Sequence, residues 1–67
     1  MKLQCNDAGS WRHIINFEKN VERAVREQAV KLIAAANPRI KLRILDDKGE
    51  IFARAEAPDF TWEERPN

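Results

Sequence analysis

One stretch of the chain has the hydrophobic spacing of a helix, and the segments on either side of it have the spacing of β-strands. Between Asn20 and Ala36, apolar residues recur at steps of three and four, which places them on one stripe of a helix. Asn20 is a suitable N-cap, and Asn37-Pro38 is a suitable terminator. The predicted buried stripe consists of Val21, Ala24, Val25, Ala29, Leu32, Ile33 and Ala36.

The residues before the helix predict a β-hairpin. Residues 1–5 alternate apolar and polar side chains, which is the period of a half-buried strand. Residues 6–10 are turn formers, and residues 11–18 are rich in aromatic and β-branched residues, as strands are. Alternation in the second strand places Trp11, His13, Ile15 and Phe17 together on one face.

The residues after the helix predict a second hairpin. Residues 40–44 alternate apolar and basic side chains, residues 46–49 suit a turn that ends on a glycine, and residues 51–57 form the returning strand. The register stays open. A four-residue loop pairs Ile51 with Ile44 and Phe52 with Arg43, whereas a three-residue loop with a bulge pairs Ile51 with Leu45 and Phe52 with Ile44.

These elements predict a single α+β domain over residues 1–67, in which a small, mostly antiparallel sheet (β-β-α-β-β) has one helix packed on one face. A chain of 67 residues buries a small core, and such domains often gain stability from a disulfide, a metal ion or a partner subunit. The only cysteine is Cys5 and the only histidine is His13, so neither an intrachain disulfide nor a structural zinc site is expected. A homodimer is therefore the favoured source of additional stability.

Charge and hydropathy narrow the classes of function. Twelve Lys and Arg residues against eleven Asp and Glu residues give a formal charge of +1, which disfavours a dedicated nucleic-acid-binding protein. No secretory signal is visible at the N-terminus, and the longest apolar run, residues 32–36, is too short to span a bilayer. A cytoplasmic protein is expected.

Candidate catalytic and metal-binding residues are few. His13 has no nucleophile or carboxylate nearby in sequence, and nothing is expected to lower the pKa of Cys5. Asp46, Asp47 and Glu50 suit a hairpin turn better than a cation-binding loop. We therefore expect a non-enzymatic protein without a metal or cofactor.

Two binding hypotheses remain. The first is a protein–protein interaction module, with a second copy of the chain as one candidate partner, which docks through a sheet edge or the uncovered sheet face. Its candidate contact residues are Arg43, Phe52, Phe60 and Trp62. The alternative is nucleic-acid binding by a basic sheet face that carries Arg12, Lys41, Arg43 and Arg54. The aromatic segment around Phe60 and Trp62 is expected to cover the face opposite the helix, unless a second copy covers it.

Overall fold

The computed structural model describes residues 1–36, 39–56 and 59–64. Its elements are β1 (Lys2–Asp7), β2 (Ser10–Asn16), a 3-10 turn (Lys19–Val21), α1 (Glu22–Ala36), β3 (Lys41–Leu45), β4 (Ile51–Ala55) and β5 (Glu63–Glu64). All five strands form one antiparallel sheet in the order β2-β1-β3-β4-β5. The predicted α+β class and element order are confirmed, with β5 as an addition. The predicted helix terminator at 37–38 lies outside the described residues.

The first hairpin turns on two residues rather than on the predicted five. Ala8 and Gly9 both have positive φ, +62° and +88°, which is typical of the type I′ turn that joins twisted antiparallel strands. The side chain of Asn6 accepts a hydrogen bond from the Gly9 amide at 3.1 Å. Ala8 therefore occupies a left-handed conformation that glycine or asparagine adopts more readily.

A β-bulge interrupts the pairing of β2 with β1. Leu3 lies opposite Ile15, but the next residue, Gln4, lies opposite His13, so Ile14 is an extra residue in β2. An extra residue reverses the alternation of faces beyond it. The prediction that Trp11, His13 and Ile15 share a face is therefore wrong, because the bulge separates the first two from the third.

The second hairpin contains a bulge as well. Its turn is held by the Asp46 side chain, which accepts hydrogen bonds from the amides of Lys48 (2.9 Å) and Glu50 (3.0 Å). Ile51 lies opposite Leu45, but Ala53 lies opposite Ile44, so Phe52 is the extra residue. Neither predicted register holds throughout: the second is correct at Ile51 and wrong at Phe52.

The core lies between the central strands and the helix. Leu42 and Ile44 of β3 are fully buried at 0% exposure. Around them pack Leu3, Ala29, Ile40 and Ala55, with further half-buried contacts from Met1, Cys5, Phe17, Val25, Val30, Ile33, Phe52 and Trp62. The small side chains of Ala29 and Ala55 let the helix approach the sheet closely.

The helix is rotated relative to the predicted stripe. Val25, Ala29 and Ile33 face the sheet as expected, but Leu32 is 69% exposed, and Val21 and Ala24 are exposed as well. Arg26 and Val30 are half-buried in their place. The prediction that Leu32 is a core residue is wrong, because the C-terminal aromatic segment packs on the other flank of the helix and turns that flank inward.

Candidate functional site

The β5 edge of the sheet is fastened to the helix through Arg26. Its guanidinium lies between two aromatic rings, 5.6 Å from the centroid of Phe52 and 5.8 Å from that of Trp62. The same guanidinium donates hydrogen bonds to Glu22 at 3.0 Å and to Glu64 at 2.9 Å. The Trp62 indole in turn donates a hydrogen bond to the Arg26 carbonyl at 3.1 Å. These contacts hold residues 62–64 against α1.

This arrangement places three of the four predicted protein-contact residues on the helix side of the sheet. Phe60 is 7% exposed, and Phe52 and Trp62 pack against the core. The prediction that the Phe60–Trp62 segment covers the face opposite the helix is therefore wrong. Arg43, the fourth candidate, lies on that opposite face, so the structure does not bring the set together.

The sheet face that α1 does not cover is here called the open face. One row across it contains residues that lie opposite one another in neighbouring strands: His13, Gln4, Arg43, Arg54 and Glu63. A second row contains Trp11, Asn6 and Lys41. Three of the four predicted nucleic-acid contacts, Lys41, Arg43 and Arg54, thus share the open face. Arg12 lies opposite Cys5, whose side chain packs against the core, so Arg12 belongs to the helix side.

Arg43 is anchored by neutral groups at the centre of the open face. Its Nε–H donates a hydrogen bond to the Gln4 amide oxygen at 2.8 Å. Its guanidinium lies over the ring of Trp11, 3.9 Å from the centroid. Sequence reasoning missed this group, because only the bulge at Ile14 brings Trp11 to the same face as Gln4.

The outer strand β2 is here called the open edge. All seven of its residues, Ser10–Asn16, are exposed, and among the described residues β2 pairs only with β1. Three of the seven are large and apolar: Trp11, Ile14 and Ile15. Arg12 is the only residue of β2 with a full charge, so the edge lacks the dense charge that commonly protects such strands. His13 is exposed here at the rim of the sheet.

An apolar flank of the helix adjoins this edge. Residues of a helix follow one another at about 100°, so Leu32 lies on one flank of α1, while Arg26 and Val30 lie on the other. Val21, the last residue of the 3-10 turn, precedes α1 on the flank of Leu32. The second flank lines a cavity with Phe60 and Trp62, at the β5 side. The flank with Val21 and Leu32 therefore faces the β2 side, where Ile15 is 50% exposed on the same side of the sheet.

Neither residue considered for catalysis has a hydrogen-bond or ion-pair partner among the described residues. Cys5 is half-buried against the core, and His13 is exposed opposite Gln4. Within residues 1–36, 39–56 and 59–64, no three His, Cys, Asp or Glu side chains come close enough to hold a metal ion. No helix in that same part of the chain is long and apolar enough to cross a membrane.

Comparison with known proteins adds no functional assignment. No protein-family model matches the chain, and neither does a curated protein or a solved structure.

Proposed function

We propose that this protein is a non-enzymatic protein–protein interaction module that docks through the open edge. The observation that carries the proposal is that β2 is exposed along its whole length, including the side chains of Trp11, Ile14 and Ile15. An outer strand offers backbone N–H and C=O groups for pairing, and its side chains determine which strand is accepted. The contact residues therefore differ from the predicted aromatic set around Trp62.

The apolar side chains beside the edge support docking rather than simple solvation. Six large apolar side chains are exposed among the described residues, and five of them lie on β2 or on the helix flank beside it: Trp11, Ile14, Ile15, Val21 and Leu32. A cluster of exposed apolar side chains is typical of an interaction surface. The charge of Arg12 and the bulge at Ile14 both limit unselective strand pairing. A selective partner is expected.

A second copy of the chain is the partner we favour. If two copies of β2 pair antiparallel, the helix side of one sheet continues into the helix side of the other. Ile15 of both copies then lies on that same side of the joined sheet, where it can be covered by the partner. A contact of this kind would also add buried apolar area to a chain whose own core is small. The single cysteine, Cys5, suits a reducing compartment, so we place the module in the cytoplasm.

Light scattering at several concentrations tests self-pairing. We expect the native chain to be a dimer that dissociates on dilution and the variant Ile15→Lys to be a monomer at every concentration. Ile51→Lys is the matched control, because Ile51 is also a strand isoleucine, 42% exposed, but lies on β4. The control should dimerise as the native chain does. A native chain that stays monomeric would overturn self-pairing.

Photo-cross-linking inside cells tests the broader proposal. A photoreactive residue at position 15 should give a cross-linked product that the same residue at position 51 does not give. A product with twice the mass of the chain supports the second copy as partner. A product of another mass would support the interaction module but would show that its partner is a different protein. Equal yields from both positions, or no product from either, would overturn the proposed function.

A further inference from the structure

We propose that the open face is a second binding surface, which shares Trp11 with the open edge, and that it binds single-stranded nucleic acid. In this proposal Arg43 and Arg54 contact phosphates, while Trp11 lies against a base. The proposal goes beyond the docking function of β2. It rests on the charges of the open face, on the anchoring of Arg43 and on the position of Trp11.

The first argument is a pair of positive charges that no ion pair neutralises among the described residues, although Arg54 lines a cavity with Glu56, Asp59 and Glu63. Arg43 and Arg54 lie directly opposite one another in β3 and β4, and like charges in opposite positions destabilise a sheet. Neither arginine forms a salt bridge with any carboxylate in the described part of the chain. Glu63 lies opposite Arg54 across β4 and β5, yet the two form no ion pair. A bound anion would remove the repulsion.

The second argument is that Arg43 is positioned in advance. The hydrogen bond to Gln4 occupies its Nε, and the ring of Trp11 supports the plane of its guanidinium. Both anchors are neutral, so the full charge of the arginine and its terminal N–H groups remain available. An arginine held in one orientation loses less conformational entropy when it binds a phosphate.

The third argument favours single-stranded nucleic acid over an acidic protein segment as the bound polymer. Lys2 and Lys41 extend the basic groups along the same face. Lys41 pairs with Glu56 at 3.9 Å, and Lys2 forms no ion pair within residues 1–36, 39–56 and 59–64. Proteins that bind single strands combine such basic surfaces with an aromatic side chain on which a base stacks. Trp11 is 39% exposed beside Arg43. An acidic protein segment would satisfy the arginines but would leave the exposed ring without a stacking partner.

Fluorescence anisotropy with a labelled oligothymidylate, measured on the native chain over a range of salt concentrations, tests the proposal. Arg54→Gln removes one charge from the open face, and among the residues that the structure describes no hydrogen bond, ion pair or ring contact involves that side chain. We expect weaker binding, and a slope of log affinity against log salt that is smaller by about 0.7, the value for one lost phosphate contact on a single strand. Arg43→Gln should weaken binding at least as much.

Arg23→Gln is the matched control, because it removes the same charge from an exposed position on α1. If Arg23→Gln keeps the affinity and the salt slope of the native chain, the result supports a localised site. If Arg23→Gln weakens binding as much as Arg54→Gln does, binding follows net charge and the proposal is overturned. The proposal is also overturned if the native chain does not bind the oligonucleotide but binds polyglutamate, and if Arg54→Gln weakens that binding.

Discussion

At the β5 edge, the sheet ends in a two-residue strand that the helix holds in place; at the β2 edge, it ends in a seven-residue strand that no described residue covers. The first edge is short and acidic, with Glu64 paired to Arg26. The second is long, and nearly half of its residues are large and apolar. Short length and charge both protect an edge from further pairing, so the contrast is the reason that our proposal places docking at the β2 edge.

The largest effect on stability is expected in β3, the central strand of the sheet, which belongs to neither edge. Leu42→Ala removes a fully buried side chain, and we expect it to lower the free energy of unfolding by about 2–5 kcal/mol. Leu32→Ala, the same change on the exposed helix flank, should cost less than about 0.5 kcal/mol in the monomer. Urea denaturation measures both. Equal losses would show that Leu32 is buried and that the helix is rotated differently.

The two tryptophans provide the most direct contrast between the edges. Trp62→Phe keeps an aromatic ring but removes the hydrogen bond to the Arg26 carbonyl, so we expect a loss of about 0.5–1.5 kcal/mol. Trp11→Phe, on the open edge, keeps a ring under Arg43 and should leave the stability of the monomer nearly unchanged. Thermal unfolding at low protein concentration compares them. A larger loss at Trp11 would reverse our assignment of the fastened edge.

The smallest effect is expected at the turn of the hairpin that carries the open edge. Ala8→Asn should raise the free energy of unfolding by about 0.5–1 kcal/mol, since an L residue in the left-handed region costs about 1–2 kcal/mol and asparagine tolerates it better. The same change at Ala24, an exposed position in α1, should instead destabilise by about 0.7 kcal/mol. A gain at both positions would indicate a general effect of asparagine rather than relief at the turn.

Hydrophobic periodicity predicts the elements of this fold but not the faces they present. The helix, the two hairpins and their order follow from steps of three and four or of two along the sequence. The bulges at Ile14 and Phe52 leave no comparable signal, because one extra residue depends on how two strands meet in space. Each bulge moves side chains to the other face, which is why the predicted faces of β2 were wrong.

The candidate surfaces were predictable only in part. The basic alternation of β3 and Arg54 in β4 were sufficient to predict three residues of the open face. The helix rotation was not predictable, since it depends on Trp62, which is far from Arg26 in sequence and packs against it. An arginine that binds two glutamates and lies between two rings resembles a surface residue when only its own helix is considered. The predicted buried stripe therefore contained Leu32 and left out Arg26.

The strand order has a further consequence for how quickly the protein reaches its native state. Each hairpin pairs neighbours in sequence, whereas the seam between β1 and β3 brings Lys2 opposite Leu45, a residue 43 positions further along the chain. Closing a long loop costs entropy before its contacts compensate, so non-local pairing slows folding. We expect the two hairpins to form early in folding. The rate-limiting step is then the pairing of β1 with β3, during which the helix packs against these strands.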